Sequence, residues 1–192
     1  MSATTTSPLR PHEVALLRGG PRAALTVAVL DLHLRGAVQA GRAGTMHACG
    51  PAERADLPPL PPFTKAVHGA LYRAAGMRQL LDRQGVRRAL ADLRGDLRAA
   101  GLLRAFPPGR PRAARRALKD LRVRHPLPVR RSGLSAEDGL LLVALYGERA
   151  LTLLARRFAQ EAGLTGRGGT TELELRQSWG GSSGGGFGCG TV

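Results

Sequence analysis

The chain has 192 residues, enough for one domain or two small ones and for a real hydrophobic core. Hydrophobic residues make up 43% but aromatics only 4%, so the core must be built from Leu, Ala and Val, a composition that favours helices over strands. Lys and Arg number 29 against 14 Asp and Glu, a net charge of +15. That charge permits binding to nucleic acid, an anionic membrane face or an acidic protein and does not choose among them.

Nearly all the cations are Arg, and enrichment in Arg, Ala, Gly and Pro together also follows from codon use in a GC-rich genome. Cys49 and Cys189 stand in unlike contexts, so no disulfide framework is implied. The opening MSATTTSPLR lacks a basic-then-apolar leader pattern, and no apolar run approaches the ~20 residues of a spanning helix. The expected setting is cytoplasmic.

In chain order, residues 1–10 read as disordered. Pro11 starts a helix over His12–Arg18, with Glu13 in its first turn. Gly19-Gly20-Pro21 ends it and starts the next. From Arg22 to Arg35 the apolar positions cover almost the whole circumference, which predicts a helix buried on most sides, stopped at Gly36. Val38, Gly41, Gly44, Thr45 and Met46 then predict two short strands around a Gly-rich turn. Helix, tight turn, helix and hairpin is the order of a winged-helix unit, here residues 11–50.

Residues 51–62, PAERADLPPLPP, predict an extended, semi-rigid linker. A second helical unit follows over 63–106, beginning with a helix from Phe63 to Ala75. Within it lies a repeat. Leu16–Val38, shifted by 65 positions without a gap, falls on Leu81–Leu103 with nine of 23 residues identical, among them Leu25/Leu90, Asp31/Asp96 and Gly36/Gly101. One helical unit used twice is the expectation.

Residues 107–165 predict further helices. Ala113–Arg124 is strongly basic, and His125-Pro126-Leu127-Pro128 closes it. Ser135 with Asp138 is a capping pair opening the apolar helix Leu140–Tyr146, which Gly147 separates from Leu151–Ala162. Within 166–192, TELELRQSW reads as one edge strand and GGSSGGGFGCGTV as a flexible tail. The fold class is mainly α: two related winged-helix-like units, the first with a β-hairpin, then C-terminal helices and a disordered Gly-rich tail.

PHEVALLRGGPRAAL, LRGAV followed by GTMHACG, PPFTKAVHGALY, RAARRALKDLRVRHP and GLLLVALYGERAL before a Gly-rich end together resemble a family of unknown function from GC-rich bacteria. Its members are described as membrane proteins with Gly/Cys-rich C-termini. The likeness covers most of residues 9–190. Family members carry transmembrane segments between the second helical unit and the basic helix, where this chain has only RAFPPGRP, and their tails hold many cysteines where this one keeps Cys189. Their genes sit near iron-dependent enzymes that modify peptide cysteines. The resemblance therefore implies peripheral membrane contact at most, and a tail that serves as a modification substrate at Cys189. It carries over no catalytic residue.

Read for chemistry, the residues supply no catalytic set. His12-Glu13 begins a metalloprotease pattern, but position 16 is Leu. His47 and Cys49 offer two zinc ligands where a structural site takes four, so no metal or other cofactor is expected. The Gly-rich tail lacks the Lys-Ser/Thr of a phosphate loop, and no Gly-x-Ser-x-Gly elbow occurs. An enzyme is not expected. Arg42 on the hairpin, Arg83, Arg87 and Arg88 in the second unit, and Arg115, Arg116 and Lys119 in the basic helix are the candidate nucleic-acid contacts. Asp82, Asp92, Asp96 and Asp120 are interleaved with them as helix-spaced counter-charges. The favoured function is a non-enzymatic interaction or carrier protein that docks a protein partner, a cysteine-modifying enzyme among the candidates, and presents Cys189 and Trp179 on its tail. The alternative is a winged-helix-like DNA-binding regulator.

Overall fold

A computed structural model describes residues 9–53, 55–104, 111–129 and 133–165. The N-terminal segment 1–8, most of RAFPPGRP, the expected strand in TELELRQSW and the tail with Trp179 and Cys189 lie outside the described residues. Within them the protein is mainly helical with one small antiparallel sheet.

The first helix, α1, spans Pro11–Leu34 and is two helices joined at Gly20, where φ is +75°. The Gly-Gly-Pro break works as read. Gly20 takes the left-handed conformation at no steric cost, and the following Pro21 has a φ already suited to a helix. At the start of α1 the Arg10 backbone N–H donates to Glu13 Oε2 at 2.8 Å, half of a capping box. Beyond the break, Ala24, Leu25 and every residue from Val27 to Leu32 are buried. A helix apolar on all sides can only be stable at the centre, and the other helices gather around it: α2 (Pro62–Ala70), α3 (Met77–Asp82), α4 (Gln84–Ala99), α5 (Arg112–Arg124) and α6 (Ala136–Tyr146) all pack against α1.

Strands β1 (Val38–Ala40) and β2 (Met46–Ala48) form the hairpin, with Gln39 opposite His47. The helix expected over Phe63–Ala75 ends early, at Ala70. The reason is tertiary. Residues 71–75 turn away to bond the hairpin: Ala48 N–H donates to Leu71 O at 3.2 Å, and Met46 and Ala75 exchange two bonds of 2.9 Å. The Pro-rich stretch is fastened to the body, with Ala52 and Leu60 buried and Pro58 O accepting from Arg35 Nη1 at 2.9 Å.

The sequence-matched helices end alike. Gly36 and Gly101 both have positive φ, near +70°. The following amides, of Ala37 and Leu102, return to Leu32 O and Leu97 O at 2.9 and 2.8 Å. Leu25 and Leu90 are both fully buried. They begin differently, because the break preceding α4 falls at Arg83 and Gly85 lies inside the helix. Their surroundings differ too. Asp31 is buried in an ion pair with Arg35 (2.8 Å), whereas its counterpart Asp96 is exposed, and α4 buries one face only.

At the C-terminal end, Ser135 Oγ accepts from Asp138 N–H at 3.0 Å to open α6. Gly147, at φ +65°, divides α6 from α7 (Glu148–Glu161), which starts three residues before the expected Leu151. The body closes where Gly163 meets the hairpin turn. A Cβ on Gly163 would stand 3.3 Å from Gly44 Cα, so backbone packs on backbone there.

Candidate functional site

Helix α5 buries Ala114 and Leu118 and half-buries Ala117 and Leu121, which is its whole attachment face. On the opposite side Arg112, Arg115, Arg116, Lys119, Arg122 and Val123 are exposed. At 100° per residue these six fall within an arc of about 120°. The C-terminal end of α5 is tied to that of α6. Arg122 Nη2 donates to Leu145 O at 3.4 Å, and Tyr146 Oη donates to His125 O at 2.9 Å.

The electrostatics of that arc are unbalanced. Asp120 lies at its flank, and among the described residues no carboxylate forms an ion pair with Arg112, Arg115, Arg116 or Lys119. Arg112 and Arg116, and Arg115 and Lys119, are like-charge pairs one turn apart, each costing the helix roughly 0.2–0.5 kcal/mol. Val123, 73% exposed, stands among them as an apolar contact point. Guanidinium groups meet carboxylate or phosphate oxygens two at a time, so this face has the chemistry to take closely spaced negative groups.

The remaining sequence-predicted residues scatter. Arg42 is exposed on the hairpin turn, where its carbonyl accepts from Thr45 Oγ1 at 2.6 Å. Arg87 and Arg88 are exposed on α4, among Asp82, Asp92 and Asp96. On that helix Arg94 is held below the usual arginine range by burial, with Arg98 adding repulsion. Arg83 is half-buried, its Nη2 donating to Arg73 O at 3.2 Å. The second half of α1, which a winged-helix reading would use to enter a DNA groove, is buried from Val27 to Leu32. His47 and Cys49 flank one strand end, and among the described residues no three His, Cys, Asp or Glu side chains gather as a metal site. No described helix is long and apolar enough to cross a membrane.

One shallow groove runs along α7, lined by Glu148, Thr152, Arg156, Gln160 and Thr165. It holds no nucleophile–base pair. Sequence reasoning missed Tyr72, which is 75% exposed with two guanidinium groups over its ring. At 100° per residue Tyr72 lies opposite Phe63, so the helical pattern already placed it on the outer face. Comparison with known proteins finds no matching family model, no matching curated protein and no matching solved structure.

Proposed function

We propose that this is a non-enzymatic, cytoplasmic interaction module that docks an acidic protein partner on α5 and carries the segment with Cys189 to it. The observation that supports this reading is the unneutralised cationic arc of α5, a self-repelling surface that folding alone does not require. The chain enters residues 166–192 from a fixed point, because Leu164 is buried and Gly163 is locked against Gly44. An enzyme docked on α5 would meet Cys189 on the same chain, at a raised effective concentration. We also infer that α4 and the second half of α1 are copies of one unit, supported by their identical glycine stops.

Site-specific photo-crosslinking tests the docking. A crosslinker at position 116, on α5, gives a discrete protein adduct in cells, and one at exposed Glu137 does not. An adduct at 116 that nuclease removes transfers the surface to the second reading, a DNA-backbone binder, which the same arginines favour. Equal adducts at both positions exclude both. Intact-mass analysis then locates any modification. A shift confined to the peptide holding Cys189 supports the carrier role, and an unmodified peptide in the presence of the partner contradicts it.

A further inference from the structure

Tyr72 is left unused by the reading of α5. It stands where the chain leaves α2, three-quarters of it in solvent. Arg83 Cζ lies 5.2 Å and Arg73 Cζ 5.7 Å from the ring centroid, cation–π contacts that hold the ring in place while leaving most of it open. The Arg83 Nη2 bond to the backbone carbonyl of Arg73 anchors the Arg83 guanidinium beside the ring. The other nitrogen of that fork, Nη1, is buried with no hydrogen-bond acceptor among the described residues. Such a donor is costly until an acceptor arrives.

The charge around the ring is also out of place for folding. Arg83 caps α4, where the helix dipole disfavours a cation, and the first turn of α4 holds no acidic residue. An exposed ring and two guanidinium groups against it therefore coincide at one place.

We infer that Tyr72, Arg73 and Arg83 form a binding site for a phosphate-bearing aromatic ligand, a nucleotide, taken either free or as one unit of a single strand. The base stacks on Tyr72, and the phosphate takes the guanidinium groups. Stacking on an aromatic side chain serves any base, and a guanidinium fork matches phosphate oxygens two at a time. An acidic peptide offers the charge but no planar ring. The inference is independent of what docks on α5.

Fluorescence anisotropy of a labelled short oligothymidylate tests it on the full-length protein, with thymidine monophosphate, inorganic phosphate and polyglutamate as competitors. The monophosphate displaces the probe at lower concentration than phosphate or polyglutamate. Tyr72→Ala weakens binding at least about fivefold, Tyr72→Phe retains it, and Arg83→Lys weakens it, while Arg157→Ala on α7 leaves it unchanged. Tyr72 is exposed, so its variants keep the fold, which their melting curves verify. Full displacement by the monophosphate with no gain for the strand marks a free nucleotide as the ligand, and a tighter strand marks single-stranded nucleic acid. Wild-type binding by Tyr72→Ala, competition by phosphate or polyglutamate equal to that of the monophosphate, or loss of binding in Arg157→Ala alone would overturn the inference.

Discussion

Substituting Gly147 by Ala probes the elbow on which α6, α7 and the first half of α1 converge. Gly147 has φ +65° and ψ −129°, a region that L-residues avoid, and an alanine there costs ~1–3 kcal/mol in backbone strain. Its Cβ would also stand 2.9 Å from Arg18 Nη1 and 3.0 Å from Nη2. That guanidinium cannot simply swing aside, because Arg18 Nε donates to Ala144 O at 2.6 Å and closes the end of α6. Moving it forfeits a charge-assisted bond worth about 1.5–3 kcal/mol. Together the two effects predict a loss of roughly 3–5 kcal/mol, a fall in Tm of at least ~6 °C at this chain length. Thermal and urea denaturation followed by circular dichroism measure it. Combining the change with Arg18→Ala separates its parts, since without the guanidinium only the backbone strain remains, and the double variant is less destabilised than the sum. An unchanged Tm in Gly147→Ala would refute the strain argument, and strict additivity with Arg18→Ala would refute the contact.

Four further outcomes follow from the same coordinates. His12 is buried beside Phe63, and burial, with a smaller contribution from Arg10, lowers its pKa from 6.5 to about 4. The unfolded chain therefore takes up this proton first, so stability falls as pH drops from 6.5 towards 4, by up to ~3 kcal/mol. His12→Asn flattens that limb of the urea-midpoint profile, and an identical limb in the variant would contradict the assignment. Leu25→Ala and Leu90→Ala each cost ~2–5 kcal/mol in urea denaturation. Leu25 stands at the upper end, because α1 is enclosed and its cavity cannot collapse, and a smaller loss for Leu25 than for Leu90 would contradict the central placing of α1. Ser135→Ala removes the α6 cap and costs ~1 kcal/mol in the same assay, where no change would mean the cap is inert.

What was legible in the sequence was punctuation. The Gly-Gly-Pro break, the hairpin turn, the Ser135 cap and the Gly147 elbow each rest on a residue whose local chemistry leaves few choices. Where the cause was tertiary, the reading overshot or fell silent. The helix from Pro62 stops at Ala70 because residues 71–75 bond β2, and nothing in LYRAA announces a strand partner. The break at Arg83 carries no Gly or Pro signal, and the nearby Gly85, matched to Gly20 in the repeat, lies within α4. The α5 cations were visible, but their balance was not. Interleaved aspartates look like partners in one dimension, and only helix geometry puts Asp120 at the flank of the arc. Tyr72 was legible as an outward residue, opposite Phe63 on the helical wheel, but the two arginines that meet its ring come together only through the fold.

The account turns on α5 being a docking face and not merely a solvated one, and Lys119→Glu tests this most directly. The substitution replaces like-charge neighbours of Arg115 and Arg116 with opposite-charge pairs, so the helix gains about 0.5–1 kcal/mol. Measured side by side, Tm and affinity for polyglutamate at low and physiological salt should therefore move in opposite directions. Lys119→Glu is expected to melt at or above the wild-type temperature and to bind more weakly and with less salt dependence. Unaltered binding with a raised melting temperature would contradict it.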